Sequence, residues 1–562
     1  MTATPLVEPA TPRRVFLRPL DLLLVAVITA ATYMPNLYGV FSPLDDYLML
    51  KEPQQFKYPT WPGYWQFWLS PPYRIFMPLT ETIWQLIARF SFHPETSSSS
   101  ATMSVIGFKI ASIVVHMLAA VAAAWALSII TKSRWPAIVG GLLWALHPVQ
   151  VESVAWTTGL KDELCGLFAL LTIGFYFDYA QNDPSTPWRN WRWYVAFAAA
   201  VLAMLSKPTG MMLAASVVVI DLIVRDAPLV RRLPSLWVFF VPAAACANIA
   251  RAVQAASNVP TVPVWARPLV VTDTFAFYFY KILWPFNLAQ DYGRHPQFIW
   301  QNGQIWWTWI FSLGALLALL MLRSRLVVLA ILLFAIPLLP VSGISPFDMQ
   351  QYSTPADHYL YQSMFGVALL ATLLLRRPRN WLDVTAVFVV GLLAVLSWRQ
   401  TQLWRHPHTL FEQMLKNNPD SRMAKAIMSG AASEVGDTAY AAKLANELLA
   451  IPYQAGSGAK LLVPVRIRQE RYREAADMAR MAMKNGIDST GVARRLMEIG
   501  AKLHDQNMAL EGVHEWLRLE PNNRVALNIQ AQIEKAVRRQ QKSSAASAPT
   551  STLPATSAPT HE

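Results

Sequence analysis

Asp45 and Asp46 stand side by side in the stretch SPLDDYLML (42–50), directly after the first long apolar run of the chain. Two adjacent carboxylates share a local field that can raise one of them, so one can orient or hydrogen-bond an acceptor while the other takes its proton as a general base. The competing reading is an interfacial pair in contact with water. The pair itself leaves both readings open, although a carboxylate at the bilayer centre costs about 2.5–3.5 kcal/mol even on insertion scales. Other polar residues gather in short stretches: PYRIFMPLT (72–80), HPVQVESVAWTTGLKDE (147–163), SKPTG (206–210), NLAQDYGRHP (287–296) and ADHYLYQ (356–362). They supply Arg74, His147, Glu152, Lys161, Asp162, Lys207, Asp291, Tyr292, Arg294, His358 and Tyr361. Cations in such a setting need a partner or an anionic ligand, and a lipid-linked phosphate would be one.

The elements that must hold these residues are apolar. The chain has 562 residues, 54% apolar and 15% charged, which excludes an ordinary soluble protein of this size. Its 22 Trp and 18 Tyr fit many bilayer interfaces, where an amphipathic ring keeps one edge in lipid and one in water. The net charge of +13 is spread over short connections and is not gathered in a block suited to nucleic acid. Residues 1–19 carry Arg13, Arg14 and Arg18 ahead of an apolar stretch at about 20–40, read as an uncleaved signal anchor with its N-terminus inside. Residues 41–101 then form an outward loop. Further runs at about 103–130, 136–147, 164–180, 193–206, 209–224, 235–250, 303–322, 326–341, 359–375 and 381–398 alternate with basic connections, for example Lys132 and Arg134, and Arg376, Arg377 and Arg379. The pattern predicts about eleven spans with the aspartates and the polar stretches on the outer side. Segment 268–290, flanked by Arg267 and Arg294 on one side, is read as a re-entrant hairpin or an interfacial element.

From about Leu403 the composition turns to Ala, Leu, Glu, Arg and Lys at helical spacing. FEQMLKNNP (411–419), ANELLAIPY (445–453), ARMAMKNGI (479–487) and VHEWLRLEP (513–521) recur every 34 residues, with Leu415, Leu449, Met483 and Leu517 in register. Thirty-four residues is the tetratricopeptide (TPR) period, in which helical hairpins bury their faces against their neighbours. Residues 403–540 are therefore read as a TPR-like solenoid, and 541–562 as a Ser/Thr/Ala/Pro tail too poor in apolar side chains to fold.

Other features carry bland readings. Cys165 and Cys246 lie in different apolar runs without metal or disulfide spacing, and His116 in IVVHMLAA reads as a packing histidine. AGSGAK (455–460) lacks the phosphate-loop spacing, and no GxSxG, HExxH or GxGxxG fingerprint has a supporting context.

Taken together, the motifs resemble the transmembrane-and-TPR-containing O-mannosyltransferases, within the GT-C superfamily of polytopic glycosyltransferases. HPVQVESVAWTTGLKDELCGLFALL is similar to that family's HPVHxEAVAWxxGRKDLL, SKPTG to its SKE stretch, LWPFNLAQDY to FPxxLSxDY, ADHYLY to ADRxLY and YRIFMPLT to YRPL. The resemblance runs from about residue 20 to 420 and on through the repeats. His358 stands where the family has arginine, Pro208 replaces the acidic residue of SKE, and Gln362 follows Tyr361 in place of LPS. A histidine is a weaker, pH-dependent phosphate ligand.

The resemblance implies an all-α, polytopic GT-C membrane domain (20–402) followed by a periplasmic TPR-like solenoid. It implies an enzyme that moves a sugar from a polyprenyl-phosphate carrier to an acceptor hydroxyl, protein Ser or Thr by O-glycosylation, with inversion. Asp45 or Asp46 would be the base; Arg74, Lys161, Lys207, Arg294, His358 and Tyr361 would bind donor phosphate or substrate; His147, Glu152, Asp162, Asp291 and Tyr292 would support them. No cofactor is expected: some members of the superfamily use a divalent metal, but a bare Asp-Asp without a further acidic ligand favours a metal-independent route. The compact loops read as bacterial, which places the chain in an inner membrane. The rival readings are a transporter or flippase of lipid-linked sugars and a non-catalytic TPR scaffold.

Overall fold

In the computed structural model, which describes residues 17–51, 68–69, 75–93, 102–182, 187–226, 228–253, 262–377, 379–451 and 454–546, the apolar runs are helices. Apart from a two-residue antiparallel pair (Phe92↔Met103, His93↔Thr102), the described regular structure is helical. The chain divides into two compact units, 1–421 and 422–562.

The first unit is a multi-pass membrane bundle. Among the described residues, six helices are long and apolar enough to cross a bilayer: Pro19–Tyr38, Ile106–Thr131, Thr157–Asn182, Val230–Val253, Asp357–Leu375 and Asn380–Leu403. Trp135–Leu146 and Pro148–Ala155, bent by 51°, make a seventh if counted as one span. Four shorter apolar helices, Trp191–Ser206, Pro208–Val224, Gln304–Leu320 and Arg325–Val341, fall on the remaining expected runs. Of the two forms expected for segment 268–290, the hairpin is not formed: Arg267–Leu283 is one continuous helix.

The basic connections meet at one end of this unit. Arg134 makes a bidentate pair with Asp21 (both 2.7 Å), the Trp135 indole N–H donates to Asp383 (3.1 Å), and Arg325 pairs with Asp226 (3.2 Å). Small residues bring the helices close, as membrane packing without a hydrophobic drive requires. A Cβ on Gly141 would lie 2.6 Å from the Ala124 Cβ, so these two helices touch nearly backbone to backbone.

Pro148 explains the bend. It cannot donate an N–H, so the helix stops at Leu146 and leaves orphan carbonyls inside the bundle. Side chains from other helices satisfy them: the Trp144 carbonyl accepts from Gln150 (3.1 Å), that of Ala145 from Tyr33 (2.9 Å), with the His116 Nε2 at 3.0 Å, and that of Leu146 from Ser397 (2.8 Å). His116 is thus a packing histidine, its Nδ1 2.8 Å from the Tyr361 hydroxyl.

The second unit is a series of antiparallel helices. Thr438–Leu449, Tyr472–Lys484 and Gln506–Leu519 begin 34 residues apart, each packed on the helices before and after it. A buried face of Ala459, Val463, Ala475, Ala476, Ala479 and Leu496 runs between them. Two boundaries differ from expectation. Helix Pro407–Asn417 belongs to the first unit, and the last helix, Arg524–Ala546, runs six residues into the segment read as tail. The remainder of that tail, 547–562, and residues 1–16 lie outside the described residues.

Candidate active site

At the end of the bundle away from the basic connections, three helix interruptions come together. The first spans 147–160. Its turn Thr157–Gly159 folds back so closely that a Cβ on Gly159 would lie 2.2 Å from the Ser153 carbonyl oxygen, so only glycine fits. The second follows Ser206, where Lys207 caps one helix and Pro208 starts a 3-10 turn. The third is the 3-10 turn Asp357–Tyr359. Non-helical backbone at membrane depth persists only where protein or a cavity covers it, so a meeting of three breaks marks a site.

The loop after the first helix approaches this junction, and the structure separates the two aspartates. Asp46 is fully buried: its Oδ2 accepts from the Ser42 N–H (2.8 Å) and its Oδ1 from the Thr158 N–H (2.9 Å). Burial pushes its carboxyl above the usual range, while the Lys109 charge and the two N–H bonds hold it down. Asp45 is half-buried and has no hydrogen bond or ion pair with a described residue. Its charge reaches the Lys161 ammonium and the Tyr359 ring.

Around Asp45 the ionic groups form a continuous file. Lys161 donates to the Thr158 carbonyl (3.0 Å) and lies over the Trp156 ring at 4.5 Å. Asp162 pairs with Lys207, and its carboxylate also feels Lys161 and His358. His358 Nδ1 sits 2.7 Å from Glu152 Oε1, and the other Glu152 oxygen accepts from the Asp357 N–H (3.1 Å). Tyr292 donates to Asp357 (2.7 Å). Asp162, Lys207, His358, Tyr359 and Tyr361 line a cavity of ≈ 20 Å³, room for about one water.

The other expected residues are occupied elsewhere. Arg294 pairs with Asp273 (2.6 Å). Asp291 accepts from the Gly293 N–H (2.8 Å) and from Ser421 (2.7 Å), and so ties its loop to the end of Pro407–Asn417. His147 caps the turn after Pro148, its Nδ1 accepting from Val149 N–H (3.4 Å) and its Nε2 lying 3.0 Å from the Ile282 carbonyl. The Tyr361 ring borders the cavity, but its hydroxyl is engaged by His116. Arg74 lies outside the described residues.

Among the buried charged residues not singled out in the sequence are Lys109, Glu163 and Glu81. Lys109 and Glu81 each stand alone in an apolar stretch, and the cost of such a placement is the signal that could have found them, whereas Glu163 directly follows Lys161 and Asp162. Glu81, in Pro78–Ser91, has both carboxylate oxygens buried without a partner among the described residues, and burial pushes its carboxyl up to about 8. Among the described residues no group of three His, Cys, Asp or Glu side chains is arranged to hold a metal ion.

No protein-family model matches the chain, and no curated protein sequence matches it. Among solved structures, ArnT from Cupriavidus metallidurans bound to undecaprenyl phosphate is similar, with 13% identity, 89% of this chain and 77% of that chain covered, and a TM-score of 0.36.

Proposed function

We propose that the chain is a membrane glycosyltransferase of the GT-C kind, moving a sugar from a polyprenyl-phosphate carrier to an acceptor hydroxyl, a Ser or Thr of a protein, with inversion. The carrying observation is Asp45: a half-buried carboxylate with no partner among the described residues, next to Lys161 and one step from the Lys207–His358 cavity. Asp45 takes the proton of the acceptor hydroxyl as its oxygen attacks the anomeric carbon. The bond from that carbon to the phosphate oxygen breaks, and the phosphate leaves with the lipid. Lys161, Lys207 and His358 meet the charge that grows on it; preplaced cations do this without reorganisation. Asp46, both oxygens filled by backbone N–H groups, holds the loop and does not take the proton. Arg294, spent on Asp273, drops out of the phosphate set. In this reading the four shorter apolar helices complete eleven spans, the N-terminus is inside, and the second unit is a periplasmic TPR solenoid that recruits the acceptor.

The test is transfer in vitro from polyprenyl-phosphate sugars to a Ser/Thr peptide. Asp45→Asn is expected to lower the rate by about 10²–10⁴-fold with its melting temperature unchanged. Asp46→Asn, which puts an amide N–H against backbone N–H, loses melting temperature as well as rate. Wild-type rates from Asp45→Asn would remove the base; no transfer by wild type from any carrier would remove the reading in favour of a scaffold or flippase.

A further inference from the structure

His358 stands in the turn Asp357–Tyr359 and Glu152 in the short helix Val151–Ala155, and both side chains are buried. The His358 Nδ1 lies 2.7 Å from Glu152 Oε1, while Glu152 Oε2 accepts from the Asp357 N–H (3.1 Å). A backbone N–H can only donate, and an imidazole is a stronger base than a carboxylate, so the proton between the two side chains sits on Nδ1. Glu152 thus spends both oxygens on one turn and one ring. The ring is also held against Trp156 (centroids 5.8 Å) and Tyr359 (4.2 Å). Its other nitrogen, Nε2, has no hydrogen-bond partner among the described residues, and His358 borders the cavity that Lys207 and Asp162 share. That cavity has room for about one water, and a phosphate oxygen is of similar size.

We propose that Glu152 is a positioning residue that turns His358 into a proton-gated clamp for a lipid-linked phosphate. Because Glu152 keeps a hydrogen on Nδ1 in both states of the ring, Nε2 carries one only when the imidazole is charged. Charged, the ring donates Nε2–H to a phosphate oxygen; neutral, it presents a lone pair and repels it. The groups around the ring sharpen the gate. Asp162 and its partner Lys207 border the cavity with it, as do Tyr361 and Cys165. Lys161 lies over the Trp156 ring, Asp45 acts on Tyr359, and Asp357, next in the chain, accepts from Tyr292. With His358 neutral, Glu152, Asp162 and Asp45 outnumber Lys161 and Lys207, so protonation of the ring supplies the positive charge that an anion needs. An arginine is charged at every working pH, so the gate is particular to the histidine that this chain carries here. That the clamped phosphate belongs to a sugar donor rests on the transferase reading; the tautomer and the clamp do not.

Two measurements on the full chain test this. The first is nitrogen-15 NMR of histidine-labelled protein in lipid bilayers, with the His358 signals identified as those lost in His358→Gln. At alkaline pH the neutral ring is expected as the Nδ1–H tautomer in wild type and as the Nε2–H tautomer in Glu152→Gln, whose one oxygen stays on the Asp357 N–H while its amide N–H faces Nδ1. The second is retention of radiolabelled undecaprenyl methyl phosphate by the purified protein in detergent. This diester keeps a single negative charge across the range in which histidine titrates, so the lipid adds no pH dependence of its own. Wild-type affinity is expected to fall about 10–100-fold from the acid to the alkaline end of that range. His358→Arg should show no such fall, and Glu152→Gln a smaller one, because its neutral ring still donates. An Nε2–H tautomer in neutral wild type, no retention at any pH, a flat wild-type profile, or an undiminished fall in either variant overturns the proposal. Should one variant not fold, the wild-type tautomer and the other variant carry the test. Proton-gated retention without transfer by wild type from any carrier would uphold the clamp and remove the transferase reading; transfer with pH-independent retention would do the reverse.

Discussion

At the scale of single residues, burial sorts carboxylates that look alike in the chain. Glu81 shows the energetic side of this. Its carboxyl is pushed up to about 8 in the folded protein, so between the unfolded value near 4.3 and 8 the folded state holds a proton that the unfolded chain has released. The unfolded state then binds fewer protons, and stability falls as pH rises through that window. Glu81→Gln should flatten the fall and raise stability at pH 8 by up to ~4 kcal/mol relative to wild type, with little effect at pH 4.5. Melting curves of both proteins at the two pH values check it; parallel curves would show that Glu81 finds a partner. Reading the chain singled out Lys161, Asp162, Lys207, His358 and Glu152, which the structure brings together, because each lies in a polar stretch between apolar runs. It could not separate Asp45 from Asp46, since the distinction comes from the Thr158 N–H, 112 residues away. Lys109 stayed hidden because a lone charge near the end of an apolar run reads as a side chain snorkelling to water.

Helices set the second scale, and their contacts decide which substitutions matter. Gly366, in Leu360–Leu375, faces Arg325–Ala335: an added Cβ would lie 2.3 Å from the Ala330 carbonyl oxygen and 2.8 Å from the Phe334 nitrogen. Both are backbone atoms that cannot swing aside, and the same helix carries Tyr361 at the cavity wall. Gly366→Ala should therefore cost about 1–3 kcal/mol by overpacking. Gly391→Ala, where nothing lies within 4 Å, should be neutral or gain up to about 1 kcal/mol in helix propensity. Thermal unfolding of the two variants in detergent compares them directly, and equal melting temperatures would refute the close contact. The long spans were legible because length and apolarity suffice to recognise them. Of the two readings of 268–290, the single helix Arg267–Leu283 removes the hairpin and not the interfacial element, and Arg294 turns back onto Asp273 in that helix. An internal ion pair leaves no trace in hydropathy.

The whole molecule is two bodies with different solvents. The second has its own buried face, so residues 422–546 made alone should give a helical circular dichroism spectrum and a cooperative melt in water without detergent. A gradual, non-cooperative loss of signal would show that the unit depends on the bundle. Its hairpins were legible from the 34-residue period. Its starting point was not, because helix Pro407–Asn417 keeps the period while the loop after it is bound to Asp291, and periodicity does not say which body a helix packs on. Within the bundle, Asp46 joins the 42–46 loop to the 157–159 turn through one carboxylate and two N–H groups. In kinematic terms these two parts are a single lever: neither can swing to admit an acceptor or release a product unless the other travels with it. The catch on that lever is a single side chain, so one substitution is enough to slacken it.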